Sequence, residues 1–483
     1  MYLGIDLGTS GVKVLMMDEA QQIIASASSP VTVSRPHSGW SEQDPQEWIA
    51  ATENAMDELK RGFAAPLSSV KGIGFSGQMH GATLLDKTGK VLRPCILWND
   101  TRSHAEAAAL DNNPLFRKIS GNIVFPGFTA PKLVWVKNHE PEIFSQFAKV
   151  LLPKDYLRFW LTGDAVSEMS DAAGTSWFDT GARKWSPELL EASSMSLDQM
   201  PGLVEGNAPS GVLKDELANR WGMKRGVTIA GGAGDNAATA IGMGTVKSGS
   251  AFASLGTSGV LFAANDRYLP SPESAVHAFC HAVPDTWHQM GVILSATDSI
   301  NWLASLTGKS AAELTSSLGD KLKAPSKVTF LPYLSGERTP HNDAKARGML
   351  SGLDHASGSQ CLAQAVVEGV AFALKDNMDA LEKAGTRLDR VTAVGGGSRS
   401  KYWLEVISTV LNIPVDIPAD GDFGAAFGAA RLGLMAAEGL DPEAVCTPPE
   451  ISRVIEPDET LVSAFAEVHE KYKQLYQATK ELN

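Results

Sequence analysis

Apolar positions near the start of the chain fall in two short runs on either side of a polar break, in "YLGIDLGTSGVKVLMMD" at residues 2–18. β-Branched and aliphatic residues flanking glycines and hydroxyls predict a strand, a tight turn and a second strand. The segment "LGTSGV" at Leu7–Val12 returns at Leu255–Val260, within "GSAFASLGTSGVLFAAN" at Gly249–Asn265, and the same plan is expected there. Such recurrence predicts a duplicated architecture. The boundary is expected near residue 245, giving units 1–245 and 246–483.

Two further stretches follow another pattern. "VTIAGGAGDNAATAIGMG" at Val227–Gly244 reads as a short buried strand, a glycine turn and an Ala-rich helix. "VTAVGGGSRSKYWLEVISTVLNIPV" at Val391–Val415 repeats that theme. Strands alternating with helices predict α/β layers, with ligands at the carboxyl ends of the strands. The closing "FAEVHEKYKQLYQATKEL" is a polar amphipathic helix, expected to cap the surface.

Composition narrows the classes of function. With 43% hydrophobic and 20% charged residues, and no apolar run near the roughly 18 residues of a membrane span, the chain reads as a soluble globular protein. A net charge of −13 without a basic patch argues against nucleic acid or an anionic membrane as partner. Cys95, Cys280, Cys361 and Cys446 lie far apart with no CxxC pair, so neither a zinc site nor a disulfide framework is expected. The start "MYLGIDLG" has no basic region and carries Asp6 where a leader would be apolar, so a cytoplasmic protein is expected. A homodimer is compatible with all of this.

Turns of glycine and hydroxyl residues aim several backbone N–H groups outward together, as phosphate oxygens require. Any one of the three turns is equally a plain hairpin or helix-entry turn. Together, two opposed turns and a "GGG" turn make a clamp for a nucleotide.

These same residues resemble a known family. "GIDLGTSGVKV", "AGDNAATAIGMG", "SLGTSGV" and "VGGGSRSKYW", in that order, are similar to the FGGY carbohydrate kinases of the actin-like ATPase superfamily. "FTAPKLVWVKNHEPEIF" at Phe128–Phe144 and "GERTPHNDAKARGMLSGL" at Gly336–Leu353 extend the resemblance over nearly the whole chain. Cys361, at a position usually polar, departs from it. The implied fold is α/β: two actin-like (ribonuclease H-like) ATPase domains with an interdomain cleft, a sugar-binding jaw at 1–245 and a nucleotide-binding jaw at 246–483.

The resemblance implies ATP as co-substrate, Mg²⁺, and a small sugar as acceptor. "SGQMHG" at Ser76–Gly81 and "ILWNDTR" at Ile96–Arg102 look like the xylulose-phosphorylating branch; siblings acting on L-ribulose, gluconate, rhamnulose or glycerol are the alternative. A non-catalytic nucleotide switch needs no sugar loop, and a dinucleotide oxidoreductase built on "GGG" leaves the repeated turns unexplained.

Roles follow position by position, each beside a plainer one. Asp6 is implied as a Mg²⁺ ligand, or else a carboxylate held by turn N–H groups. Thr9 and Ser10 would donate to phosphate. Lys13 would neutralise it, or is simply an exposed charge. Asp235 is implied as the general base, although Asp at a helix start is commonly an N-cap. Asn236 would donate to a sugar hydroxyl. Gln78, Met79 and His80 would lie against the sugar, with Trp98 and Asn99 completing that wall; alone, His80 reads as a surface residue and Trp98 as core. Thr257 and Ser258 would face the terminal phosphates, with Gly256 supplying a positive φ. Gly395, Gly396 and Gly397 would let the backbone approach the adenosine. Lys154 and Asp155 read as a structural turn, and Glu337 and Arg338, equally an ion pair or ligand contacts, are left outside the site.

Overall fold

A computed structural model describes residues 1–419 and 421–482. Both LGTSGV segments close antiparallel hairpins, Tyr2–Leu7 with Gly11–Met17 and Ala251–Leu255 with Gly259–Asn265. Each hairpin seeds a sheet of the same plan. In the first, Tyr2–Leu7 lies parallel to Gly72–Gly77, which lies parallel to Thr228–Ala230, while Gly11–Met17 pairs antiparallel with Ile23–Pro30. In the second, Ala251–Leu255 lies parallel to Val391–Val394, which lies parallel to Val415–Pro418, while Gly259–Asn265 pairs antiparallel with Trp287–Ile293. Pro209–Val212 adds an edge to the first sheet; His277–Cys280 and Ile451–Ile455 border the second. The expected α/β duplication is therefore present strand for strand.

Helix Ala425–Glu438 lies in sequence between two strands of the second sheet, Val415–Pro418 and Ile451–Ile455, yet sits on the first sheet. Small residues permit this: a Cβ at Gly4 or Gly74 would overlap the carbonyl oxygens of Ala426 and Ala429, and one at Gly428 would overlap that of Ala238. Strands and helix touch backbone to backbone, and the helix also packs on Asp235–Gly242. This junction joins the halves behind the cleft.

Two segments depart from their expected character. The helix Val462–Thr479 does more than cap the surface: Phe465, His469, Tyr472 and Tyr476 are buried, and Tyr472 donates to the Tyr333 hydroxyl at 2.7 Å. Lys154 and Asp155 open the helix Pro153–Thr162 inside the first half, both fully buried. The Lys154 ammonium lies 2.8 Å from Asp155, 2.9 Å from Asp171 and 3.2 Å from Glu168, and Arg158 lies 2.7 Å from Asp155. Charges so deeply buried are tolerable only when paired. The four cysteines are free thiols, and no described helix is long and apolar enough to cross a membrane.

Candidate active site

The carboxyl ends of the central strands of both sheets face a shared cavity of about 760 Å³. It brings together Met79, His80, Trp98, Asn99, Asp235 and Asn236 from the first half with Gly256, Thr257 and Ser258 from the second.

Asp235 owes its position to a short pairing, in which Ala233–Gly234 lies parallel to Ser76–Gly77. The Gly234 N–H donates to the Ser170 hydroxyl at 3.1 Å, and that serine donates to Glu168, a member of the buried charge cluster. The N-cap of helix Asp235–Gly242 is Gly234, so Asp235 is its first helical residue and its carboxylate is not used as the cap. One oxygen, Oδ1, accepts from the Asn236 N–H at 2.7 Å and from Asn236 Nδ2 at 2.9 Å. No described residue donates to the other. Burial pushes this carboxyl up to about 6, and the like charge of Asp6 adds to the rise.

The loop after strand Gly72–Gly77 supplies one wall. His80 takes φ of +68°, a strained backbone for a non-glycine residue. Several contacts hold it there. Its Nδ1–H donates to the Gly174 carbonyl at 2.7 Å, and its ring stacks on Phe128 with centroids 4.5 Å apart. Its carbonyl accepts from Lys132 Nζ at 2.8 Å, and the same ammonium reaches the Gly127 carbonyl at 2.7 Å. Because Nδ1 carries the proton, Nε2 is an acceptor. Burial lowers the ring's pKa to about 3, helped by the charge of Lys132, so His80 is neutral. Met79 packs where a Cβ on Gly234 would lie, tying this wall to the base of Asp235.

Several expected positions fall elsewhere. Gln78 is buried behind the loop and does not line the cavity: its Nε2 donates to Gln43 and its Oε1 accepts from Thr9. The Thr9 hydroxyl, expected to donate to phosphate, donates to Gln78 at 2.9 Å and accepts from Trp98 Nε1 at 3.0 Å. Ser10 is exposed at the turn tip. Trp98, expected in the wall of the cavity, lines it and is 48% exposed. Lys13 forms an ion pair with Asp422 across the gap between the halves. Gly256 has no positive φ, and a Cβ there would meet only the Ser258 carbonyl at 3.5 Å. Asp6 sits at the end of the central strand, where burial raises its carboxyl, with Lys13 opposing and Asp422 adding to the rise.

Gly395, Gly396 and Gly397 stand between two further hollows. One, of about 620 Å³, is bounded by helices Thr297–Thr307, Ala311–Ser316 and Lys401–Leu411; the other, of about 570 Å³, by Thr239, Met243 and Asp422. Gly395 takes φ of +90°, which only glycine adopts readily, and a Cβ there would meet the Leu255 backbone at 2.8 Å. The "GGG" turn thus rests directly on the second LGTSGV hairpin.

Residues that the sequence reading left out complete the main cavity. Phe125, Phe128, His277, Phe279 and Arg338 line it. Arg338 forms no ion pair with Glu337, whose carboxylate instead accepts from the Leu294 and Arg338 backbone N–H groups at 3.0 and 2.7 Å. "GERTP" was the signal available for Arg338, but nothing local says which way the guanidinium points.

Comparison with known proteins agrees with this geometry. The N-terminal domain model of the FGGY family of carbohydrate kinases matches residues 1–242, and the family's C-terminal domain model matches residues 251–437. The xylulose kinase of Escherichia coli (strain K12) is 49% identical over 99% of both chains, and that of Klebsiella pneumoniae 47% over the whole of both. The crystal structure of a xyloylose kinase from Brucella ovis superposes with a TM-score of 0.99 at 61% identity over the whole of both chains. A Plasmodium falciparum glycerol kinase with ADP shares the fold, with a TM-score of 0.88 at 21% identity over 97% of both chains. With two sheets of one plan, a buried carboxylate in the cavity they share and both family models matched along its length, the chain belongs to the FGGY family of carbohydrate kinases.

Proposed function

We propose that this chain transfers the γ-phosphate of ATP to D-xylulose, giving D-xylulose 5-phosphate and ADP. The full-length relatives named xylulose kinase support the acceptor. The observation that carries the mechanism is Asp235, with one carboxylate oxygen unclaimed between the Met79–His80 wall and the Thr257–Ser258 turn.

Phosphoryl transfer asks the protein mainly for positioning and charge stabilisation. Asp235 accepts the proton of the acceptor hydroxyl as its oxygen attacks phosphorus; the bond to the bridging oxygen breaks and its electron pair leaves with ADP. Asn236 fixes the carboxylate's direction through Oδ1, leaving Oδ2 for the sugar. His80 Nε2 accepts from a second sugar hydroxyl, and Met79 gives an apolar contact. Thr257 and Ser258 donate to the terminal phosphates, and Gly395–Gly397 admit the adenosine.

A divalent ion fits the donor chemistry around Asp6. That carboxyl is pushed up by burial, with the Ser76 hydroxyl and Lys13 opposing the rise and Asp422 adding to it, and Asp235 feels the charge of Asp6 in turn. Asp6 would hold Mg²⁺, which when bound draws charge from the phosphate oxygens. The two sheets with their helices act as jaws, helix Ala425–Glu438 moving with the first sheet on which it packs, and their approach excludes water from the reacting phosphate.

A coupled ADP-release assay tests this reading. Asp235→Asn is expected to lower turnover on the order of 10²- to 10⁴-fold, with sugar KM and melting temperature little changed. Wild-type kcat/KM is expected to fall about tenfold per pH unit below about pH 6, where the Asp235 carboxylate takes up its proton. Turnover of Asp235→Asn within a few-fold of wild type removes it from the role.

A further inference from the structure

Behind the cavity wall, Thr9, Gln78 and Gln43 close a ring of hydrogen bonds whose direction has one solution. Trp98 Nε1 donates to the Thr9 hydroxyl at 3.0 Å, and Trp48 Nε1 donates to Gln43 Oε1 at 3.0 Å. An indole only donates, so the Thr9 hydroxyl passes its own proton to Gln78 Oε1, 2.9 Å away. Gln78 Nε2 then faces Gln43 Oε1 at 2.7 Å, the oxygen that Trp48 also needs as acceptor. This leaves Gln43 Nε2 for the Thr9 carbonyl at 2.7 Å, and a carbonyl only accepts. Reversing either amide breaks at least two of these bonds.

The bond to the Thr9 carbonyl differs from the other ties of the first turn. Carbonyl oxygens repel phosphate oxygens, so a turn that receives phosphate has to draw its carbonyls back. The Ser10 carbonyl accepts from the Val31 N–H at 3.0 Å and the Gly11 carbonyl from the Gly8 N–H at 2.9 Å, both backbone donors. Of the three, the Thr9 carbonyl is the one held by a side chain.

The same bond sets where an N–H points. In a trans peptide the C=O and the N–H lie in one plane and point in opposite directions. With the Thr9 carbonyl turned toward the buried Gln43, the Ser10 N–H of that peptide is turned away from the core, and Ser10 itself is exposed. No described residue accepts from that N–H.

We infer that Gln43 is a positioning residue for phosphoryl transfer, holding the Thr9 peptide with its carbonyl drawn in and its N–H presented to the terminal phosphates. Through the ring it also joins that peptide to Trp98 in the cavity wall, so one buried amide serves both the phosphate turn and a neighbour of the acceptor. This role rests on the kinase function proposed above and adds to it a residue that does not line the cavity.

The test uses the full-length enzyme and ADP release, with each substrate varied in turn. Gln43→Met keeps the side-chain length and removes the donor without adding charge. Its kcat/KM for ATP is expected to fall about tenfold, with sugar KM moving less than about threefold. Gln43→Glu keeps an acceptor for Trp48 and Gln78 but sets a carboxylate against the Thr9 carbonyl; once protonated, that group donates as the amide did. Relative to wild type, its kcat/KM for ATP should be about tenfold lower at about pH 8.5 and recover several-fold by about pH 6.5, as a buried carboxyl gains its proton. The Gln43→Met ratio should stay flat over that range. A kcat/KM for ATP within about threefold of wild type in Gln43→Met overturns the role, because a loss in Gln43→Glu alone is charge repulsion; so does a loss confined to sugar KM, or one in Gln43→Glu that ignores pH. If Gln43→Met melts too low to assay, Gln43→Asn, whose amide falls a methylene short of the Thr9 carbonyl, is read in its place by the same criteria. If the wild type leaves D-xylulose untouched and phosphorylates another sugar, the proposed function fails, and the Gln43 comparison is made with that sugar.

Discussion

The two LGTSGV turns have identical residues and different structures. In the first, Leu7 pairs with Val12 and the Gly8 N–H donates to the Gly11 carbonyl at 2.9 Å, leaving Thr9 and Ser10 at the tip. In the second, Leu255 pairs with Gly259, a register one residue tighter, and the tip is Gly256, Thr257 and Ser258. Their anchors differ as well. The first turn's Thr9 and Ser10 carbonyls accept from Gln43 Nε2 and the Val31 N–H, at 2.7 and 3.0 Å, and its Thr9 hydroxyl is tied to Gln78 and Trp98. The second is tied by its backbone: the Gly256 and Thr257 carbonyls accept from Thr297 and Ala296, at the start of helix Thr297–Thr307, at 2.9 and 2.8 Å. Local sequence thus decides that a turn forms, and tertiary partners decide its register and which atoms it presents. Backbone bonds anchor both turns; in the second no described residue engages the Thr257 and Ser258 hydroxyls, whereas in the first the Thr9 hydroxyl is already engaged.

The largest expected effect separates the turns by ligand. Thr257→Val with Ser258→Ala removes two hydroxyls that no described residue engages, so ATP KM should rise on the order of 10- to 100-fold with sugar KM and melting temperature steady. Thr9→Val, by contrast, cuts the link between Gln78 and Trp98 and should act mainly on sugar KM. Steady-state kinetics with each substrate varied in turn reads the difference; both changes acting on ATP KM alone would mean that the turns do the same work.

A smaller effect concerns stability. A Cβ at Gly11 would sit 2.7 Å from the Ser29 carbonyl oxygen, a backbone atom that moves only with its strand. At Gly259 the nearest atom, also 2.7 Å away, belongs to the Ile293 side chain, which can change rotamer. Gly11→Ala is expected to cost about 1–3 kcal/mol, as overpacking does, and Gly259→Ala less; thermal melts of the two variants make the comparison.

What was legible in the sequence follows the same division. Both hairpins, the strand–turn–helix of Val227–Gly244 and that of Val391–Val415 came from local patterns, because apolar alternation and glycine placement act within a few residues. Met79, His80, Trp98, Asp235 and Asn236 line one cavity. Gln78 was misplaced because the side chain next to a cavity residue points the other way, here toward Gln43. Arg338 and the buried Lys154 cluster were passed over for a related reason: Arg338 meets His277, and Lys154 meets Glu168 and Asp171, only through the fold. Helix Ala425–Glu438 shows the limit most plainly, since its small residues mark close packing without naming the sheet that receives it.

The smallest expected effect is the most discriminating, and it falls on Gly256. A glycine that opens a turn is normally explained by backbone conformation, and loss of function on replacing it then says nothing about ligands. Here that explanation fails: φ is not positive, and an added Cβ meets only the Ser258 carbonyl at 3.5 Å, an ordinary contact. Gly8 is alike, with the Gly11 carbonyl at 3.4 Å. Gly256→Ala should therefore fold with an unchanged melting temperature. Any rise in ATP KM must come from the methyl group meeting the nucleotide rather than from the turn, because the protein leaves that space open. A few-fold rise for Gly256→Ala, with sugar KM steady, is expected if phosphate approaches the second turn's backbone. Parallel measurement of Gly8→Ala asks whether the first turn is approached as closely. ATP KM unchanged in both variants would mean that the phosphates are held by side chains alone, and the repeat would then owe its recurrence to the hairpin it builds rather than to the ligand.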